Sequence, residues 1–98
     1  MADPDYKISR EEGPTRGRYV IQLAPGAEAE MTYRKTGAGP MIIDHTGVPS
    51  DYEGRGIALQ LVKAAVADAR DQGFRITPVC PYVVAQFRRH PEWAPLLA

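Results

Sequence analysis

A glycine-rich segment with a helical pattern directly after it is the strongest candidate binding site in this 98-residue chain. The segment contains Gly54 and Gly56 and leads into Ile57 and Ala58. Glycines let a backbone approach a ligand closely and leave N–H groups free, and a helix N-terminus adds partial positive charge. The segment therefore predicts a site for a phosphate or pyrophosphate. A tight structural loop without a ligand explains the same local spacing.

Cys80 is a candidate nucleophile. It follows an apolar segment and precedes Pro81, which fits the first turn of a helix. A thiol near a helix N-terminus is favoured as the thiolate, which is the reactive form. The alternative is a small buried residue without chemistry, which is common for cysteine.

His45 is a candidate base. It follows the apolar residues 41–43 and stands between Asp44 and Thr46. An imidazole can take a proton from an attacking amine near neutral pH. In a regular strand Asp44 and His45 point to opposite faces, so the pattern does not predict a dyad. A histidine bonded to a neighbouring loop is the alternative.

Several polar residues could contact an anionic ligand. Arg88, Arg89 and His90 form a short basic cluster, and Arg55 lies in the glycine segment. Their charges could meet phosphates, although a solvated face is the usual state of such a run.

Tyr82 and Gln86 are one helical turn apart and face either ligand or water. The spacing of Cys80, His45 and His90 is not a zinc pattern, so we expect no metal.

The residues before the glycine segment alternate in polarity, as in strands. Turns that contain glycine and proline separate the apolar runs. The pattern predicts strands over 6–10, 18–23 and 27–36, with a turn over 11–17, and a fourth strand that contains the apolar residues 41–43 and ends at His45.

The residues after that segment have helical spacing. We predict a helix over 56–72 that ends at Gly73, and a strand over 74–79. A second helix should start at Pro81 and stop near His90. The tail 92–98 should pack back on the body through Trp93, Leu96 and Leu97.

Composition excludes several classes of function. The chain has 12 Lys and Arg against 12 Asp and Glu, so we expect no nucleic-acid surface. Its apolar runs are too short to span a membrane, and residues 1–12 have no apolar core typical of a secretory signal. One cysteine can form no internal disulfide, which indicates a reducing compartment, most simply the cytoplasm. We expect a single domain over 1–98, with 1–5 flexible.

The glycine segment also carries a resemblance to a known family. It resembles the acetyl-CoA pyrophosphate loop, Arg/Gln-x-x-Gly-x-Gly/Ala, of the GCN5-related N-acetyltransferases, the GNAT superfamily. The last two positions match as Gly56 and Ala58, whereas Glu53 stands where Arg or Gln is usual. The wider chain, roughly 17–95, resembles the minimal YjdJ-type members of this group. The segments that carry this resemblance are 43–49, 61–62, 69–70, 78–83 and 90–92.

The resemblance implies a truncated acyl-CoA N-acyltransferase fold, an α+β arrangement of the three-layer GNAT-like type. The element order is β-β-β-β-α-β-α, with an antiparallel meander followed by parallel, splayed strands four and five. Larger members have two helices after the first strand, and this chain has only a short turn there. The acceptor side should therefore be open, or completed by another molecule.

The resemblance also implies a cosubstrate and site residues. Acetyl-CoA would donate the acetyl group to an amine, either a small molecule or a protein, with Cys80 and His45 as catalytic residues. A non-catalytic CoA or acyl-CoA module, or a small interaction domain, are the alternatives. The expected CoA contacts are Thr46, Val48, Glu53, Gly54, Arg55, Gly56, Ile57, Ala58, Tyr82, Gln86 and Arg89.

Overall fold

Five strands form one sheet in their sequence order. The computed structural model describes residues 6–35 and 37–98. The first four strands pair antiparallel, and the fifth pairs parallel with the fourth. This confirms the predicted α+β meander with a parallel last pair. The strands are β1 (Ser9–Glu12), β2 (Arg16–Ala24), β3 (Ala27–Lys35), β4 (Met41–Gly47) and β5 (Ile76–Pro78).

Two helices follow the predicted helical segments. They are α1 (Ile57–Gln72) and α2 (Pro81–Arg89), with short 3-10 helices over Ser50–Tyr52 and Pro91–Leu96. Helix α1 starts one residue later than predicted because Gly56 is left-handed, with φ of 75°. Gly73 ends α1 as predicted, with φ of 76° and its N–H donating to the Ala69 carbonyl at 2.9 Å.

Both helices pack on the same face of the sheet, because α1 contacts β2 and β3 and also touches α2. One apolar core joins this face to the helices. It includes Ile21, Met31 and Ile43 from the strands, and Leu61 and Val83 from the helices. The alternation in β2 and β3 thus directs one set of side chains into a single core.

The opposite face of the sheet, here called the outer face, is polar. Arg18, Thr32, Arg34 and Asp44 lie on it, as their mutual contacts and strand register show. No helix among residues 6–35 and 37–98 covers this face. The outer face is therefore open in the part of the chain that the structure describes.

The first strand differs from its prediction. It runs from Ser9 to Glu12 rather than over 6–10, and the turn shrinks to 13–15. Two acidic residues look like turn residues in sequence, but ion pairs hold them in the strand. Glu11 pairs with Arg18 at 2.9 Å, and Glu12 accepts a hydrogen bond from the Tyr33 hydroxyl at 2.8 Å. The expected flexible segment 1–5 lies outside the described residues, as does residue 36 at the predicted end of β3.

The later strands also differ in length. Strand β4 continues to Gly47, two residues beyond its predicted end at His45, and β5 covers only Ile76–Pro78 instead of 74–79. Strand β2 extends one to two residues beyond both ends of its predicted range 18–23. The tail packs back as predicted, with Trp93 5% exposed. It also adds a feature that the sequence did not predict, because Leu97 forms a parallel bridge with Ile76.

Arg10 fastens the edge strand β1 to helix α1. Its guanidinium lies 3.2 Å from both the Asp68 carboxylate and the Gln72 amide oxygen, and it donates to the Tyr33 hydroxyl at 2.9 Å. Burial by itself would lower the pKa of Arg10, but hydrogen bonds and charge interactions with Tyr33, Tyr19 and Glu12 outweigh it and raise that pKa. Arg10 is therefore a permanent cation in this network.

Tyr33 lies across Gly17 on the neighbouring strand, and this contact requires glycine. A Cβ at position 17 would collide with the Tyr33 ring and would lie 2.8 Å from the Glu11 carbonyl oxygen. We expect Gly17→Ala to lower the free energy of unfolding by about 1–3 kcal/mol, because the overpacked strands must separate. Urea unfolding measures the change. Gly13→Ala is the control, because its Cβ would meet the Arg16 carbonyl at an ordinary 3.4 Å. Equal stability of the two variants would contradict this role of Gly17.

Candidate functional site

The gap between β4 and β5 opens at a single carbonyl group. The Ile43 carbonyl oxygen accepts hydrogen bonds from the N–H groups of Val79 and Cys80, at 2.9 and 3.0 Å. The β4–β5 pairing ends there, but β4 continues to Gly47. In the part of the chain that the structure describes, residues 44–47 have no strand partner on the β5 side. Beyond Ile43, the backbone of β4 therefore has an open side where β5 has ended.

Cys80 lies at the base of this gap, one residue before α2. It is 7% exposed, and its thiol donates to the Thr46 hydroxyl oxygen at 3.5 Å. Thr46 pairs with Met31, a core residue, so it belongs to the helix-bearing face of β4. The structure thus brings together Cys80 and Thr46, two of the residues predicted for the site.

A β-bulge at Asp44 changes the direction of His45. Thr32 pairs with His45, whereas the next residue of β3 pairs with Ile43, so Asp44 is the extra residue. The Thr32 hydroxyl donates to Asp44 at 2.6 Å, which places Asp44 on the outer face. His45 lies opposite Thr32 and shares that face. The expectation that Asp44 and His45 point to opposite faces is therefore wrong.

The two predicted catalytic residues lie on different sides of β4. His45 is exposed on the outer face, whereas Cys80 contacts β4 through Thr46 on the helix-bearing face. A Cβ on Gly47 would lie 3.2 Å from the His45 Nε2 atom, so the imidazole packs close to this glycine.

A cavity of about 300 Å³ lies at the start of α1. Its walls include six of the predicted contact residues of the loop, namely Val48, Glu53, Gly54, Gly56, Ile57 and Ala58. Tyr82 of α2 forms another wall, so the fold brings the glycine loop and the second helix together.

The backbone of the loop leaves open space in front of this helix end. Gly54 and Gly56 have φ values of 78° and 75°, and a Cβ on either would have no neighbour within 4 Å. No side chain caps α1, and its first turn contains no acidic residue. The first N–H groups of a helix have no partner within the helix, so they can receive an anion here.

Tyr52 also lines the cavity, and the sequence analysis did not select it. The Arg55 guanidinium lies 5.2 Å from the centre of the Tyr52 ring, which is a cation–π distance. An aromatic residue three positions before an arginine in a glycine-rich loop is the signal that could have identified it.

The other predicted contacts lie along α2. Burial raises the pKa of the Tyr82 phenol, and the nearby charge of Arg89 opposes that rise. The phenol therefore remains a neutral hydrogen-bonding group at neutral pH. Gln86 is buried, and Arg89 is exposed.

His90 has a structural contact. Its ring stacks on Trp93 with centroids 3.9 Å apart, and its Nδ1 donates to the Gln86 carbonyl at 2.8 Å. Thus His90 holds the end of α2 against the tail.

Among residues 6–35 and 37–98, no group of three or more His, Cys, Asp or Glu side chains is arranged to hold a metal ion. Among these same residues, no helix has the length and apolar character needed to cross a membrane.

An antiparallel meander whose last strand pairs parallel with β5, with a glycine loop and a helix N-terminus after β4, is consistent with a truncated acyl-CoA N-acyltransferase fold. Residues 18–96 match the family model of the GCN5-related N-acetyltransferases, so the chain belongs to that family. It is also similar to Protein NATD1 of Xenopus tropicalis, with 28% identity over 90 residues. The aligned region covers 91% of this chain and 83% of that protein.

The left-handed conformation of Gly56 can be tested separately from any ligand. We expect Gly56→Ala to cost about 1–2 kcal/mol of stability, because a Cβ disfavours this conformation. Since no atom lies near the new Cβ, the cost should be conformational. Gly56→Asn is the matched control and should lose less, because asparagine tolerates left-handed backbone. Urea unfolding of both variants measures the difference. An alanine variant as stable as the wild-type protein would contradict the assigned conformation.

Proposed function

We propose that this protein binds acetyl-CoA and transfers its acetyl group to an amine. The observation that carries the proposal is the gap where β5 ends and β4 continues. Cys80 contacts β4 at this gap through Thr46, and the glycine-loop cavity begins at Val48, directly after β4. Membership of the GCN5-related N-acetyltransferase family supports the same chemistry. The single cysteine supports a cytoplasmic location.

The proposed CoA site uses the loop for the most charged part of the ligand. The pyrophosphate would take the N–H groups of residues 54–58, which begin a helix without a capping side chain. Arg55 and Arg89 would add positive charge at this end. Val48 and Tyr82 offer apolar surface to the pantetheine arm, and Thr46 with Gln86 offers polar groups further along.

Direct transfer fits the placement of His45. The amine nitrogen would attack the thioester carbonyl carbon from the outer face, and the carbon–sulfur bond would then break to release CoA thiolate. His45, or a water beside it, would accept the proton that the amine loses. Backbone N–H groups of β4 at residues 44–47 would stabilise the oxyanion, because no strand occupies them on the β5 side.

A two-step route is the competing mechanism, and the place of Cys80 favours it. The Cys80 thiolate would first attack the thioester, forming an acetyl-cysteine and releasing CoA thiolate. The amine would then attack this new thioester and regenerate Cys80. Since the thiol contacts Thr46 beside the gap, it lies close to the path of the substrate.

Glu53 favours a second candidate function, a CoA-binding module without catalysis. Glu53 is a lining residue of the cavity and stands where the loop pattern of the family has Arg or Gln, and a carboxylate near pyrophosphate lowers affinity. A small interaction domain that keeps the fold without the ligand is a further alternative. Calorimetry with CoA separates that last case from the other two. Mass spectrometry after incubation with acetyl-CoA and a panel of amines separates transfer from simple binding.

We expect Glu53→Gln to bind CoA as tightly as the wild-type protein or several-fold more tightly. The change removes a repulsive charge, so the gain should be larger at low salt. Calorimetric titration with CoA at two salt concentrations measures it. Glu92→Gln, an exposed substitution outside the cavity, should leave the affinity unchanged. A marked loss of affinity in Glu53→Gln would show that Glu53 helps to bind the ligand.

Cys80 chemistry gives a direct test of the two mechanisms. Bound CoA should slow the alkylation of Cys80 by iodoacetamide, because the pantetheine arm would cover the thiol. In the two-step route, acetyl-CoA should leave a hydroxylamine-sensitive acetyl mass on the protein. Cys80→Ser should lose this mass and keep CoA binding. Mass spectrometry and calorimetry provide the two measurements.

Equal alkylation rates with and without saturating CoA would place Cys80 outside the site. Protection without any acetyl mass would instead favour direct transfer or simple binding.

A further inference from the structure

Two arginines lie directly opposite each other on the open outer face. In the β2–β3 ladder, Arg16 is the register partner of Arg34. Side chains at paired positions share one face, and Arg34 lies on the face of Asp44. Like charges directly opposite each other destabilise a sheet unless an anion lies between them. The two opposed arginines therefore destabilise the folded sheet when no anion is bound between them.

The neighbouring arginine shows how this fold neutralises a cation when no ligand is needed. Arg18 contacts three carboxylates, those of Glu11, Glu28 and Glu30, at 2.9, 2.6 and 3.0 Å. Arg34 has a single contact at 3.3 Å, with Asp44, and its side chain is 50% exposed. Arg16 is exposed and forms no salt bridge with any residue in the described ranges. The opposed pair thus has one direct carboxylate contact, that of Arg34 with Asp44.

These arginines border a second cavity, which lies on the outer face. Its volume is about 480 Å³, and its walls include Arg16, Arg34, Thr32 and Asp44, together with the acidic residues Glu11 and Glu12. Thr32 is the register partner of His45, which the bulge places beside Asp44 on the same face. A molecule bound at the arginine pair could therefore extend along the outer face toward His45.

We propose that the acceptor carries an oxyanion, a carboxylate or a phosphate, and that Arg16 and Arg34 bind it. This inference rests on the proposed acetyl transfer, for which it names the class of substrate. The planar guanidinium groups can each donate two hydrogen bonds to such an anion. The amine of the same molecule would then lie near His45.

Strand geometry limits the size of this acceptor. Arg34 lies two residues along β3 from Thr32, the partner of His45, which is roughly 7 Å. The amine and the oxyanion should therefore be separated by about four to six bonds. The arginine pair is also distant from the proposed CoA loop. Ile42, the register partner of Arg34, lies roughly 17 Å along β4 from Gly47, where the strand ends before the loop.

Matched amines test the proposal. The substrates are 4-aminobutyrate, 3-aminopropyl phosphate and the uncharged-tail analogue butylamine, with acetyl-CoA as donor. We expect the wild-type protein to prefer an anionic amine, and both Arg16→Gln and Arg34→Gln to lower its kcat/KM at least tenfold. The same variants should change kcat/KM for butylamine less than twofold. Preference between the two anions shows whether carboxylate or phosphate is the natural group.

Arg70→Gln is the matched control, because it removes an exposed guanidinium from α1 on the other side of the sheet. It should leave kcat/KM for all three amines unchanged. Equal losses for butylamine and the anionic amines in the Arg16 and Arg34 variants would overturn the proposal. So would a wild-type protein that shows no preference for an anionic amine over butylamine.

A binding measurement tests the anion site even if the protein acetylates none of these amines. Such a lack of acetylation would count against the proposed function and not against the anion site. NMR signals of the arginine Nε–H groups are followed during titration with acetate and with inorganic phosphate. We expect the Arg16 and Arg34 signals to shift and saturate in the wild-type protein, and the Arg16 shift to be lost in Arg34→Gln. The absence of a saturating shift with either anion would overturn the anion site.

Discussion

The Ile43 carbonyl oxygen decides where the sheet of this protein ends. By accepting both the Val79 and the Cys80 N–H groups, it stops the parallel pairing and leads the chain into α2. Strand β4 then continues without a neighbour, which creates the gap. The cavity by the glycine loop and the place of Cys80 both depend on this early end of β5. A fifth strand paired along the whole of β4 would fill the gap with backbone.

The sheet separates the tasks of its two faces. The helix-bearing face buries the apolar side chains and provides the stability of the fold. The outer face carries paired charges, and the bulge at Asp44 directs His45 toward it. A substrate on that face would not have to displace any part of the core. In the part of the chain that the structure describes, a small domain therefore combines a buried core with an open polar face.

Sequence patterns predicted the order and pairing of the elements, because alternation and glycine positions are local properties. They did not predict the length of β4 or its bulge, which depend on how β3 and β4 align in three dimensions. Glu11 and Glu12 resembled a turn because their partners, Arg18 and Tyr33, come later in the chain. For the site, Gly56 and Cys80 carried local signals, whereas the opposition of Arg16 and Arg34 exists only in the folded ladder. The register between neighbouring strands is thus the information that a single sequence does not provide.

Arg10 has a consequence for the behaviour of the protein at high concentration. Strand β1 is an edge, and the free backbone groups of an edge can pair with another molecule. An arginine on its inner side, held by Asp68 and Gln72, makes that strand costly to detach and hard to align with a second copy. At the other edge, Leu97 covers Ile76. Along β1 and at Ile76, the borders of the sheet thus resist the strand-to-strand stacking that leads to fibrils, whereas residues 44–47 of β4 keep an open edge.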